Sequence, residues 1–600
     1  MPYEQFADCL TQSAAISPNI IMELSTGLDI RSTTCDHNKY LIRITPQAMQ
    51  ENAVISMKIP LASGTSFFRL GQRRTEILPP NWSGNEENVS AADGAAIGCL
   101  LDSADRCVFA YACSAIQDMR VQYGAIAGTP IFVVIVEIAK MSQPIELLLI
   151  DSKEPLDQCM RFLSRWMIGG RDPYPIPEIA RNPIFSTWYA FLQDVNEVEL
   201  SPQLERIKSI GCSCIFLDDG WQDKGDGTEY GLGRWQPNLQ HFPNLRSTIA
   251  HYSSQGISTV LWIAPLLIGK HSDAYAKFNH YDLISGEGFL SHTFILDPRR
   301  ATIREYITNL LSATIQSYGA AGLKVDFIEQ ARAYQGKPLP NPEDNDIDDV
   351  SGAVMALFKQ ISESFQTNGI KTPLIECRQP YTTPLLAPYS NVVRVHDCPA
   401  DAISNRVRII DERLTAAGRV VHSDMLMWDT ETSIQACAEQ IMSVFFSVPQ
   451  ISVRPDLLNG AQTKVCSHLL SLWKANRDTI LSEEFHPHAQ ELNYPLVTSY
   501  RGDKQITGLY MTGIIVDIDL ERTSEIVVLN STYSHKIYVR VHPRNTPSRL
   551  FAKAYQPDGT LDSYIPRNVS CRKEEDCRIL DFSVPPFGTL KITTTKFRDK

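Results

Sequence analysis

Three short apolar runs in this chain end on carboxylates, the residue type that acid–base chemistry needs. Ala321-Gly322-Leu323-Lys324-Val325 runs into Asp326, and Val392-Val393-Arg394-Val395-His396 runs into Asp397. The third, Ile215-Phe216-Leu217, meets Asp218-Asp219-Gly220-Trp221. Two adjacent carboxylates repel each other and are costly to hold together. As anionic acceptors, however, they suit the vicinal hydroxyls of a sugar. Trp221 adds an apolar face for the C–H side of a pyranose ring, and Thr259-Val260-Leu261-Trp262-Ile263 brings a second tryptophan late on a strand. Two carboxylates facing each other across a pocket are what glycoside hydrolysis requires, one attacking or orienting water while the other protonates the leaving oxygen. Each feature alone also has a plain structural reading: Asp326 as a turn cap, Asp218 to Gly220 as a turn, and both tryptophans as core.

The elements around these residues decide between the readings. Arg304 to Tyr318 carries Tyr306, Ile307, Leu310, Leu311 and Ile315 at helical spacing and closes on Gly319. A helix that feeds a buried strand ending on Asp is the repeating unit of an α/β barrel, whose reactive groups sit at the carboxyl ends of the strands. The spacing predicts barrel strands at Phe185–Phe191, Cys214–Leu217, Thr259–Ile263, Leu323–Val325, Leu374–Glu376, Val392–Val395, Val420–His422 and Ser443–Phe446. Helices are predicted between most of them, including Pro202–Ile210, Leu245–Ser254 and Val350–Thr367. Eight such steps fit a (β/α)8 TIM barrel. A doubly wound sheet is the alternative, but no G-x-G-x-x-G follows the first strand. In this arrangement Asp326 leaves strand four and Asp397 leaves strand six, across one barrel mouth.

At 600 residues the chain is long enough for three or four folding units. Short alternating runs up to about Leu163, such as Tyr40 to Ile44, Val54 to Ile59, Cys107 to Ala112 and Ile131 to Ile138, predict an N-terminal β-sandwich over residues 1–170. Pro173, Pro175, Pro177 and Pro183 mark a linker over 171–184. The barrel then occupies 185–481, and alternating patterning returns over 482–600 as a small antiparallel β domain.

A formal charge of −12 argues against nucleic acid or an anionic membrane as partner, and no apolar run is long enough to span a bilayer. Met1 to Asp8 lacks the basic and apolar regions of a secretory signal. The 14 cysteines are scattered without a framework spacing, so a cytoplasmic protein with free thiols is expected. The 13 histidines show no ligand spacing, so no metal site is predicted, and two-carboxylate chemistry requires no cofactor. The partner is expected to be a small carbohydrate; monomer and homo-oligomer both remain open.

Asp218-Asp219-Gly220-Trp221, Gly233-Arg234-Trp235, His241-Phe242-Pro243-Asn244, Leu261-Trp262, Leu296-Asp297-Pro298 and Lys324-Val325-Asp326 resemble, in order, the motifs of the family 36 α-galactosidases. That family shares a clan with the family 27 enzymes and includes transferases of raffinose-synthase type. The resemblance implies a retaining exo-α-galactosidase or a close relative, with Asp326 as nucleophile and Asp397 as general acid/base. It implies sugar-binding roles for Asp218, Trp221 and Lys324, with Asp219 and Trp262 beside them. A cation at Lys324 keeps Asp326 ionised. Asp397 must instead be protonated at rest, which requires a raised pKa. Arg394 is a candidate for holding the sugar or orienting Asp397.

Three departures from the family pattern stand out. Val325 sits where the family often has Trp. Strand five carries Glu376-Cys377-Arg378-Gln379-Pro380 in place of a cysteine-serine-glycine-rich stretch, so Cys377 and Arg378 are candidates for shaping the sugar subsite, and Arg378 for a charged substituent. His396-Asp397-Cys398 replaces Ser-Asp, with Asp401 as a rival acid that also suits a helix N-cap. Ser423-Asp424 and Trp428-Asp429 follow strand seven and could approach the substrate, but read first as loop caps. Three alternatives remain open: a raffinose-synthase-type transglycosylase, an α-glucosidase of family 31, against which Asp218-Asp219-Gly220-Trp221 argues, and an inactive sugar-binding protein.

Overall fold

The computed structural model describes residues 3–61, 64–70, 85–223, 232–338, 346–542, 548–569 and 577–596. The barrel is closed, with eight parallel strands at Ile184–Ser186, Cys214–Leu217, Ser258–Ile263, Gly322–Val325, Leu374–Arg378, Val392–Arg394, Val420–Leu426 and Val448–Ile451. Ile184 of strand one pairs with Gln450 of strand eight and closes the ring. Six of the eight strands lie where the sequence pattern puts them, within a few residues.

Two expectations are corrected. Ser443 to Phe446 is not a strand: the helix Ile434–Ser443 ends there, and strand eight follows at Val448–Ile451. The first strand stops at Ser186, and Trp188–Phe191 is a helical turn. In both cases an apolar run sits against the barrel from a helix end, where periodicity cannot separate strand from buried helix.

The helices are built as their sequences dictate. Ala301–Tyr318 buries Ile303, Ile307, Leu311 and Ile315 along one stripe. It ends on Gly319 at φ 71°, a left-handed position that glycine takes without Cβ strain. Val350–Thr367 starts on Asp349, whose carboxylate accepts from the Gly352 amide at 2.7 Å.

Ahead of the barrel, two six-stranded antiparallel sheets face each other. One runs, in spatial order, Leu10–Ser17, Ile20–Ser25, Gln50–Pro60, Ile131–Met141, Met119–Ala125 and Asn85–Val89. The other runs Leu28–Asp36, Lys39–Pro46, Ile145–Ile150, Cys107–Cys113, Ile97–Leu101 and Ser66–Arg69. Their inner faces bury Ile55, Met57, Ile135's neighbours Val134 and Val136, Leu147 and Leu149, the alternation expected of a sandwich. The helix Leu156–Met167 then leads towards the barrel. After it come a seven-stranded and a three-stranded sheet. These are mostly antiparallel, with parallel pairing between Lys504–Leu509 and Glu525–Asn530 and between Ile515–Asp519 and Lys536–His542.

Candidate functional site

Alternation along each barrel strand sends every second side chain toward the axis. On strand four this selects Lys324 and Asp326, on strand five Glu376 and Arg378, and on strand six Arg394. The interior is consequently charged. His422 Nδ1 lies 3.0 Å from Glu376 Oε2, which also accepts from Gln450 Nε2 at 2.9 Å. Glu376 Oε1 lies 3.3 Å from Arg394 Nε. This buried polar layer supports the groups above it.

Asp326 is 7% exposed and fully engaged. Trp262 Nε1 donates to its Oδ2 at 3.0 Å, while Oδ1 accepts from the Phe327 amide at 2.8 Å and from Arg378 Nε. Phe327 reaches that geometry at φ 59°, a strained position for a bulky residue and one that such sites tend to hold. Burial alone raises a carboxyl's pKa. Here Arg378, then Lys324 and Arg394, outweigh it and hold Asp326 below its ordinary value, as an anion. Lys324 Nζ itself pairs with Asp218 Oδ2 at 2.6 Å.

Asp397 is half-exposed, its side chain 44% accessible, and accepts from Arg394 Nη1 at 2.7 Å. The same nitrogen lies 2.9 Å from Oδ1 of fully buried Asp424, whose Oδ2 accepts from the Cys398 amide at 2.7 Å. The expectation of a raised pKa at Asp397 is corrected. Burial acts upward, but Arg394, Arg378 and Lys324 pull it below the ordinary range. Burial and the neighbouring Asp397 push Asp424 up instead. With one guanidinium serving both carboxylates, the proton of the pair prefers Asp424.

Asp424 is therefore a site residue, not a loop cap. Strand seven continues to Leu426, with an irregularity in pairing between His422 and Met425. Asp401, the rival acid, is the N-cap of Ala402–Thr415, accepting from the Ser404 amide at 2.9 Å and the Ser404 hydroxyl at 2.6 Å.

Asp219 lies beside Asp218 at the end of strand two and accepts from Gln193 Nε2 at 2.6 Å. The turn that carries both demands glycine. Gly220 has φ +121°, and a Cβ there would meet the Gln193 carbonyl oxygen at 2.7 Å. Two candidates fall outside the mouth. Trp221 is fully buried, donates from Nε1 to the Trp262 carbonyl at 2.8 Å, and packs on Trp235 and Tyr318. It buttresses Trp262 and offers no open face. Cys377 is fully buried on the outer side of strand five, where burial pushes its thiol up to about 12.

Arg378 is the structural surprise. Besides Asp326 it donates from Nη2 to Glu329 Oε1 at 2.6 Å and from Nη1 to the Gln379 carbonyl at 2.8 Å. Its guanidinium stacks between Phe327 and Tyr381, 5.2 and 5.9 Å from their ring centroids. Glu329 went unnoticed in the sequence because it follows Asp326 on a short helical turn, Ile328–Tyr334, with no strand end to mark it. A cleft of about 2090 Å³ opens above. Arg378, Glu329, His396 and Asp397 line it from the barrel, and Asn52, Arg120, Glu137 and Lys140 from the sandwich.

An eight-stranded parallel barrel with an aspartate held below its ordinary pKa at strand four and a second carboxylate at strand six, between two β assemblies, is an arrangement that two-carboxylate chemistry can use. Comparison with known proteins narrows it. The family described as Melibiase matches residues 178–370. The chain is 27% identical over 150 residues to α-galactosidase 1 of Pediococcus pentosaceus, covering 24% of this chain and 20% of that protein. It is 31% identical over 102 residues to an α-galactosidase of Lactobacillus acidophilus, covering 17% and 14%. The matched sequence thus spans a fifth or less of those relatives' length. Solved structures align far more widely. A family 36 α-galactosidase from Geobacillus stearothermophilus superposes with a TM-score of 0.63 at 14% identity, over 98% of this chain and 85% of that one. An α-galactosidase from Lactobacillus brevis gives 0.61 at 13%, over 99% and 84%. The protein is α-galactosidase-like in its barrel sequence, and its fold is that of the family 36 enzymes.

Proposed function

We propose that this chain is a retaining exo-glycoside hydrolase that releases terminal α-linked galactose from small carbohydrates. The observation that supports it most is the state of Asp326: buried, oriented by Trp262, and kept anionic by Arg378 and Lys324 opposite a second carboxylate, Asp397, on the cleft. In the first step an Asp326 oxygen attacks the anomeric carbon, the glycosidic bond breaks, and its oxygen takes the one proton that the Asp397–Asp424 pair shares, delivered at Asp397 on the cleft while both carboxylates are left ionised on Arg394. In the second, Asp397 removes a proton from water, which displaces Asp326 and regenerates the acid with configuration retained. Asp218 and Lys324 are placed to bind sugar hydroxyls. Attack requires Arg378 to leave Oδ1, and Glu329 gives it somewhere to go. Around the mouth, Lys324, Arg378 and Arg394 face Asp218, Asp326, Glu329, Glu376, Asp397 and Asp424, three cations against six carboxyls. Arg378 is committed to that balance, so the glycone is neutral rather than acidic. The thirteen described cysteines are all free, which supports a cytoplasmic placement. A Geobacillus stearothermophilus relative of the same fold has been solved with raffinose, in line with an oligosaccharide substrate.

One observation favours a second reading, a sugar-binding protein without turnover: Arg378 sits directly on Asp326. A panel of aryl α-glycosides separates the two. The proposal expects the α-galactoside to be cleaved faster than the α-glucoside or α-galacturonide, and Asp326→Ala to abolish cleavage while sugar binding persists. Binding of galactose without cleavage of any member of the panel selects the second reading.

A further inference from the structure

At the opposite end of the barrel, beneath the amino ends of the strands, lies a second cavity of about 200 Å³. Five arginines line it: Arg161 and Arg165 from Leu156–Met167, Arg181, Arg413 from Ala402–Thr415, and Arg419 just before strand seven. Glu483 is the only acidic residue among the lining. Arg161 pairs with Asp157, Arg165 with Glu483, and Arg181 with Asp478 at 2.9 Å. Arg413 and Arg419 have no carboxylate within 4 Å among the described residues. Their N–H groups go to neutral acceptors. Arg413 donates to the carbonyls of Phe446, Ile480 and Ser482 at 2.9, 2.6 and 2.6 Å. Arg419 donates to those of Thr382, Thr383 and Ala416 at 2.6, 3.1 and 3.0 Å.

Carbonyls satisfy hydrogen bonds and, at the end of Gly460–Ile480, a helix dipole. They do not supply a counter-charge, and a buried cation without one is costly. Burial accordingly pushes Arg413 down to about 9 and Arg419 to about 10. Three of the five guanidinium groups have a carboxylate within ion-pair distance, which leaves Arg413 and Arg419 without one beside this small cavity.

We propose that this cavity binds a tetrahedral oxyanion, as free phosphate or as the terminal phosphate of a small metabolite. Guanidinium forks match phosphate oxygens in pairs, and the volume has room for the anion together with water or a small organic portion beside it. An occupant would tie Leu156–Met167 and the start of the last β assembly to the barrel base, with Arg165 reaching it at the rim and Glu483 competing for Arg165. The site is independent of the proposed activity.

The test is titration of the full chain with inorganic phosphate, followed by calorimetry and by the thermal unfolding midpoint, against sodium chloride at equal ionic strength. Phosphate is expected to bind with a dissociation constant at or below about 1 mM and to raise the midpoint. Arg165 and Glu483 side chains are 55% and 69% exposed, so Arg165→Gln and Glu483→Gln should fold. The first should weaken phosphate roughly tenfold and the second tighten it several-fold. A midpoint that responds to phosphate no more than to chloride overturns the proposal. So does binding that neither substitution changes. A second arm with glycerol phosphate identifies the source: tighter binding than inorganic phosphate assigns a metabolite, and equal binding the free ion.

Discussion

The two ends of this barrel solve opposite electrostatic problems. At the mouth, carboxyl groups outnumber cations, and the two arginines are shared: Arg394 among Asp397, Asp424 and Glu376, and Arg378 between Asp326 and Glu329. At the base the arginines are in excess, and two donate only to neutral acceptors. A mouth with spare carboxyls holds a proton that can move, which suits chemistry. A base with spare guanidinium groups holds a fixed deficit that only an anion fills. Changes at the mouth should therefore alter turnover with little effect on stability, and changes at the base the reverse.

The largest expected effect is at Asp326. Asp326→Asn should lower kcat by roughly 10³-fold or more, with the unfolding transition retained; turnover near the parent level would break the contrast at once. Next comes the shared proton. Asp424→Asn removes one of the carboxylates that share Arg394 and a negative charge beside Asp397, so Asp397 should hold its proton less well. The alkaline limb of kcat/KM should then move to lower pH, with a loss of about tenfold at neutral pH; a loss uniform across pH would make Asp424 merely structural.

Glu412 lies between the two regions. It is fully buried, accepts from Gln379 and Thr382 at 2.6 and 2.8 Å, and is pushed by burial up to about 7. Raised in the fold above its unfolded value near 4.5, it favours the native state at low pH. That contribution is lost as pH rises through about 7. Glu412→Gln should flatten this slope and stabilise the protein at pH 8 by at most about 3 kcal/mol; an unchanged slope in denaturant unfolding at pH 5 and pH 8 would place the titration elsewhere. The smallest effect is expected for Asp401→Ala: loss of one N-cap, about 1 kcal/mol, with pH dependence of turnover unchanged.

Much of this was legible in the chain itself. Strand-end carboxylates and the Asp-Asp-Gly-Trp turn are local, so Asp218, Asp326 and Asp397 emerge from short runs alone. What escaped depends on tertiary packing. Asp424 reads first as a loop cap because the apolar run ends at His422, whereas strand seven runs on to Leu426. Strand eight was hidden because Val448-Pro449-Gln450-Ile451 holds a proline and a polar residue, while the more apolar Ser443 to Phe446 closes a helix. Trp221 has the composition of a sugar platform, yet its indole N–H is spent on the Trp262 carbonyl. The charge state of Asp397 follows from which residues share Arg394, and spacing along the chain does not reveal that.

The division of labour between Asp326 and Asp397 is tested most directly with the Asp397→Ala variant, an aryl α-galactoside bearing a good leaving group, and added azide. Without Asp397, bond cleavage still proceeds on an activated leaving group, but water is no longer deprotonated for the second step. Azide, which needs no base, should restore turnover and yield a galactosyl azide of retained configuration. A galactosyl azide of inverted configuration, or no rescue in Asp397→Ala together with rescue in Asp401→Ala, would contradict the account.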